Sequence, residues 1–186
     1  AASDVYKRQI WALGLLVSAV AMRGGDASAS VIAATAATLA KLPDAAAPKI
    51  FSKGLRATHR YRVPGAREEA QQAFPHILQL ALPQLRLSRN NGGSESHARI
   101  DALMAIMTSL TDTCVLSRAG MEGLEAMQHG ARAVLTAGGS ATPEGQQALH
   151  LLDRQMLALN ASPGGAADLL AATLFLDRIG TPYFKH

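Results

Sequence analysis

Of 186 residues carrying a formal charge of +4, 48% are apolar and only 17% charged, a balance that excludes intrinsic disorder and allows one domain with a buried core. Alanine and leucine dominate while aromatic residues make up 4%, which disfavours strands and predicts an all-α fold. The single cysteine, Cys114, excludes an internal disulfide, so nothing requires an oxidising compartment and the cytoplasm is the expected location.

In chain order, residues 1–9 lack a helical face and are expected to be a non-native or disordered leader. The apolar run 10–22 predicts a buried core helix. It falls short of the roughly 20 residues that span a bilayer, and Arg23-Gly24-Gly25-Asp26 ends it early. Asp26 or Ser28 then caps an alanine-rich second helix running to about Leu42, before Pro43. Residues 43–65 read as irregular, punctuated by Pro48, Gly54, Pro64 and Gly65. This long loop holds the chain's excess positive charge: Lys49, Lys53, Arg56, Arg60, Arg62 and Arg67 occur with no acid among them. Concentrated charge of that kind attracts polyanions.

A helix is predicted from near Ala66, interrupted at Pro75 and resuming to Leu87. The stretch from Ser88 to Ser94 is loop. Ile100, Leu103, Met107 and Leu110 recur on one helical face, which is assigned to the core. A further helix, from about Met121 to Ala137, stops at Gly138-Gly139. Thr142-Pro143-Glu144 opens the next, with an N-cap hydroxyl, a proline at the first position and an acid at the positive end of the dipole. Leu149, Leu152, Met156 and Leu159 form its apolar face, and the last helix follows Ser162-Pro163-Gly164-Gly165. The sum is a single-domain bundle of about seven helices over residues 10–186.

Two places can carry chemistry. Ser162, Gly164 and Gly165 precede a helix whose free N–H groups suit an anion, with Asp168 in its first turns; the same residues also make an ordinary cap and turn. Asp112, six residues before Arg118, is a candidate Mg²⁺ ligand because that ion takes one or two carboxylates plus substrate phosphates. Arg118 can fork onto phosphate, or serve only in a surface ion pair. Tyr61 and Phe51 among the basic residues superficially suit single-stranded nucleic acid, but the spacing matches no nucleic-acid module. No nucleic-acid partner and no membrane span are expected. His97 and Asp101 lie four apart without a third ligand, so no zinc is assigned. Cys114 reads as a small buried residue.

Taken in order, these signals resemble the triphosphoribosyl-dephospho-CoA synthase family. Ile10-Trp11-Ala12-Leu13-Gly14-Leu15-Leu16 is similar to the helix after that family's Asn-Thr-His-Lys/Arg-Gly segment. Gly65-Ala66-Arg67-Glu68-Glu69-Ala70, Phe74-Pro75 and Leu82-Pro83 resemble Gly-Ala-Arg-x-Glu-Ala…Gly-Phe-Pro…Leu-Pro. The run from Asp112 to Gly120 resembles Asp-Thr-x-x-x-x-Arg-Gly-Gly, and that from Asn160 to Ala171 resembles Asn-Leu-Ser-Pro-Gly-Gly-Ser-Ala-Asp-Leu-Leu-Ala. Ala73, Ala119 and Ala166 depart from glycine, glycine and serine. The family's Pro-Lys-Pro-Gly and Gly-x-His-x-Asp-Met segments have no counterpart, which predicts an N-terminally truncated chain holding the C-terminal two-thirds of the family fold.

The resemblance implies a transferase that joins ATP to 3′-dephospho-CoA through the 2′-hydroxyl, with loss of adenine. It implies Asp112 and Asp168 as carboxylates that steady positive charge at the ribose or hold Mg²⁺, and Arg60, Arg62, Arg67, Arg118, Ser162, Gly164 and Gly165 as phosphate and substrate contacts. It further implies that Asp112, Arg118 and the turn before Asp168 meet in one cavity. The product would be the prosthetic-group precursor for the acyl-carrier subunit of malonate decarboxylase or citrate lyase; Leu55-Arg56-Ala57-Thr58-His59-Arg60-Tyr61 favours the malonate branch.

Overall fold

The computed structural model describes residues 7–24, 27–43 and 53–179. In order these form α1 (Lys7–Arg23), α2 (Ala29–Lys41), α3 (Lys53–Tyr61), α4 (Ala66–Gln71), a π-helical segment (His76–Ala81), α5 (Leu82–Asn90), α6 (Glu95–Met107), α7 (Thr113–Thr136), α8 (Pro143–Ala158) and α9 (Gly164–Ile179). No strand occurs among the described residues, as the alanine-leucine composition predicts. One hydrophobic cluster runs through all of these helices, with Leu16, Ile32, Phe74, Ile77, Leu85, Ile106, Met127 and Leu176 almost fully enclosed. Each such side chain contributes about 1.5–3 kcal/mol by leaving water.

Helix starts follow the sequence closely. Ser28 accepts the Val31 N–H ahead of α2, Ser94 that of His97 ahead of α6, and Thr142 that of Gly145 ahead of α8. Each satisfies an N–H that the helix itself cannot pair. Asp26, the alternative cap of α2, lies outside the described residues, as do residues 1–6.

Four expectations are corrected. The basic segment is not one long loop: α3 occupies residues 53–61 and packs on α7 through buried Ala57, its i, i+4 spacing putting Arg56 and Arg60 on one side. The count of elements rises accordingly. The helix beginning at Ala66 ends before Pro75, because Ala73 and Phe74 take φ values of 63° and 55°. The Ala73 N–H donates to the Ala70 carbonyl and that of Phe74 to Glu69, the paired bonds of a Schellman C-terminus. Helix α1 begins at Lys7 and is not buried all round, since Ile10, Val17 and Met22 are exposed. The helix expected from Met121 is the second part of α7, which starts at Thr113 and kinks at Gly120 (φ 64°, ψ −159°).

In α6, Met107 is enclosed as expected and Ile100 and Leu103 pack against the core from its flank, while a stripe of Ala98, Asp101, Ala102 and Ala105 is also buried; Leu110 packs against the core just after the helix ends. Small side chains there let neighbouring helices approach. Asp101 is tolerated in that stripe because its carboxylate accepts the Ser88 hydroxyl and the Ser140 N–H, each at 2.7 Å. No helix among the described residues is long and apolar enough to cross a membrane.

Candidate active site

Two helices that are distant in sequence begin at the same point. Asp112 is the N-cap of α7: its Oδ1 accepts the N–H groups of Cys114 (2.8 Å) and Val115 (3.4 Å). Its Oδ2 accepts the N–H of Ala166 in the first turn of α9 at 3.0 Å. Asp112 is 1% exposed, and its burial is offset because both oxygens face the positive ends of helix dipoles. A Cβ on Gly165 would stand 3.1 Å from that carboxylate, so the glycine permits the approach.

Around this junction lies a cavity of about 200 Å³. Gly165 and Asp168 of α9 wall it together with Asp112, Thr113, Glu69 of α4 and His76 of the π-helical segment. Glu69 is buried and tied to His76 twice. Its Oε1 accepts the His76 backbone N–H at 3.0 Å, and its Oε2 lies 2.8 Å from Nδ1 of the ring. The Schellman turn is what swings His76 back over Glu69.

Beside the cavity is a second, more open pocket of about 380 Å³ lined by Arg56, Arg60, Tyr61, Ser117, Arg118 and Gly120. Thr113 borders the first and Leu116 and Ser117 the second, so the two are one turn apart along α7. The Arg60 guanidinium stacks 5.4 Å from the centre of the Tyr61 ring. Three acidic residues thus line one chamber and three arginines the next, an arrangement suited to a ligand with a cationic and an anionic part.

A sequence profile of the ATP:dephospho-CoA triphosphoribosyl transferase (CitG) family matches residues 9–184. The chain belongs to that family. It is 69% identical over 176 residues to the 2-(5''-triphosphoribosyl)-3'-dephosphocoenzyme-A synthase of Klebsiella pneumoniae, an alignment covering 95% of this chain and 63% of that protein. It is 61% identical to the probable synthase of the same name from Pseudomonas fluorescens Pf-5 (95% and 60%) and 60% identical to that from Stutzerimonas stutzeri (95% and 61%). The chain therefore spans about three-fifths of the length of these relatives. No solved structure matches.

For this member of the transferase family, the structure brings together part of what the sequence proposed. Asp112, Gly165 and Asp168 share the cavity, whereas Arg118 and Arg60 line the neighbouring pocket. Arg62 is exposed with φ 53°, and Arg67, also exposed, reaches the Leu42 carbonyl at 3.4 Å; neither lines either space. Ser162 is exposed and Gly164 half-buried. The N–H of Ala166, which an anion would take, is donated to Asp112. Cys114 is half-buried rather than enclosed.

Sequence reasoning missed Glu69, His76 and Arg56. Glu69 stood inside the quoted Gly-Ala-Arg-x-Glu-Ala motif without a role, and that was the available signal. His76 needed the turn at Ala73 and Phe74 to be seen, and two non-glycine residues with positive φ leave no trace in periodicity.

Proposed function

We propose that the chain transfers the 5-triphosphoribosyl group of ATP to the 2′-hydroxyl of 3′-dephospho-CoA and releases adenine. The observation that carries this reading is the acidic cavity with the arginine pocket one turn away on α7. Breaking an N-glycosidic bond builds oxocarbenium-like charge on the ribose, which a carboxylate stabilises best in a partly dry site. Asp168 takes that part. Asp112 has three backbone N–H groups on its two oxygens, so it fixes where α7 and α9 begin and holds Thr113 and Gly165 at the cavity wall.

At about 200 Å³ the cavity is smaller than the roughly 300–1,000 Å³ of sites that enclose drug-sized ligands. It suits the reacting ribose, and the triphosphate extends to Arg56, Arg60 and Arg118, whose guanidinium forks match phosphate oxygens. Asp168, half-buried at the cavity, offers a hard oxygen donor of the kind Mg²⁺ prefers, with phosphates completing the set. The ion would be held by Asp168 and would neutralise triphosphate charge. The product is then the precursor of an acyl-carrier prosthetic group, of malonate decarboxylase or citrate lyase, and the reaction belongs to the cytoplasm.

Incubating the chain with ATP, Mg²⁺ and 3′-dephospho-CoA tests the proposal. Adenine appears in step with a dephospho-CoA adduct heavier by one triphosphoribosyl group. Nucleotide binding with no adenine release contradicts it and leaves only an anion-binding helical chain.

A further inference from the structure

We infer that His76 is the base that removes the proton from the attacking hydroxyl, and that Glu69 positions it. The inference rests on the transfer reaction proposed above and assigns a step that the carboxylates of the cavity do not cover. An alcohol is a poor nucleophile until its proton is taken, and the groups best suited to take it near neutral pH are imidazoles. Asp112 is committed to the helix junction and Asp168 to the ribose, whereas His76 borders the same cavity.

The Glu69–His76 geometry fixes which ring nitrogen acts. An ionised carboxylate only accepts hydrogen bonds, so the 2.8 Å contact to Oε2 requires Nδ1 to carry the proton. The lone pair then sits on Nε2. Among the described residues no buried side-chain nitrogen or oxygen lacks a partner, and the hydrogen bonds of His76 run to Glu69 through its backbone N–H and Nδ1. Nε2 is therefore accessible, and the space that His76 borders is the cavity. Glu69 is held in turn because its own carbonyl closes the Schellman turn with the Phe74 N–H at 3.0 Å. Two successive left-handed residues are backbone strain, of the kind that persists where a site requires it.

The step balances. The 2′-hydroxyl proton passes to Nε2, and the oxygen pair forms a bond to the ribose carbon C1. The pair of the C1–N9 bond leaves with adenine, which takes up a proton at N9, so that His76 is restored. The titratable groups sharing the cavity with His76 are Glu69 from α4, Asp112 ahead of α7 and Asp168 from α9; no charged side chain of α5 or α6 borders it.

The test compares the chain with Glu69→Gln and His76→Ala. In Glu69→Gln the amide N–H faces Nδ1, so the proton moves to Nε2 and the base is lost while the contact survives. Both variants are expected to slow adenine release by about 10²–10⁴-fold, with KM little changed, the acid limb of the rate profile gone, and added imidazole partly restoring His76→Ala. Imidazole ¹⁵N spectra of the wild-type chain supply a readout free of turnover: a protonated Nδ1, and an Nε2 signal that moves when 3′-dephospho-CoA is added. Wild-type rates in His76→Ala overturn the inference while leaving the transfer reaction standing. Absence of adenine release by the wild-type chain counts against the reaction itself. An Nε2 signal that 3′-dephospho-CoA leaves in place then overturns the inference too, whereas one that moves upholds the placement of His76.

Discussion

Oδ2 of Asp112 accepts the N–H of Ala166 across 54 residues of chain, so a single carboxylate starts two helices. If it is removed, three buried or half-buried amides lose their acceptor. Asp112→Asn keeps one acceptor oxygen but turns an N–H toward another N–H, and an unsatisfied buried donor costs about 1–3 kcal/mol. Denaturant melts of Asp112→Asn should show that loss at unchanged m-value, and Asp112→Ala at least as much.

Ala73 adopts φ 63° at the position after the α4 C-cap where helices favour glycine. A left-handed residue other than glycine costs roughly 1–2 kcal/mol, and glycine gives back about 0.4–1 kcal/mol through the freer unfolded chain. Ala73→Gly should therefore stabilise the protein by about 0.5–1 kcal/mol, read as a rise in Tm of a few degrees.

Gly120 has φ 64° and ψ −159° at the kink of α7 and borders the arginine pocket. That region of backbone space is essentially closed to side chains, at about 1–3 kcal/mol. Gly120→Ala should lower Tm and weaken ATP binding together, because straightening the kink moves Arg118 relative to Arg60. Calorimetry and nucleotide titration on the same sample check both effects.

Arg89 joins three elements, reaching Glu95 at the start of α6 and Asp177 near the end of α9 at 2.8 Å each. Its hydrogen bond holds the Glu95 carboxyl down at about 2, and the bond from Arg99 adds to this. Because the folded value lies below the unfolded one, this stability is present above the ordinary glutamate range and is lost as pH falls from about 5 toward 2. Glu95 is 44% exposed, so the pair contributes no more than about 1 kcal/mol. Glu95→Gln should lower Tm slightly at neutral pH, flatten the acid side of a Tm-against-pH curve, and meet the wild-type curve as pH approaches 2.

Much of the architecture was legible because helix starts are written locally. Thr142-Pro143-Glu144 and Ser28 mark starts in the sequence and carry the caps in the structure. Asp168 could be singled out for the same reason, since it lies in the first turns of a helix marked by Ser162-Pro163, whereas Asp112 was singled out by its spacing to Arg118 and the motif it opens, and its role as the N-cap of α7 emerged only in the structure. What stayed hidden depends on tertiary geometry. The backbone reversal at Ala73 and Phe74 is dictated by burial of Phe74 and by the bonds of Glu69, so the pairing of Glu69 with His76 has no spacing signature. Asp101, four residues from His97, carries no sign of burial in the sequence, and only the packing of Ser88 and Ser140 around it makes burial tolerable. Arg118 was expected at the carboxylates, but it lines the neighbouring pocket, nearly two turns along α7 from Asp112.

The central claim is that the cavity bounded by α4, α7 and α9 is where the ribose changes partners. Single-turnover adenine release by the wild-type chain and by Asp168→Asn, at matched saturation with ATP, Mg²⁺ and 3′-dephospho-CoA, tests it most directly. The account predicts release that depends on dephospho-CoA and falls by at least about 100-fold in Asp168→Asn, as when one charge-stabilising group is removed from a site, with the fold intact by circular dichroism. Equal rates in the two proteins would contradict it.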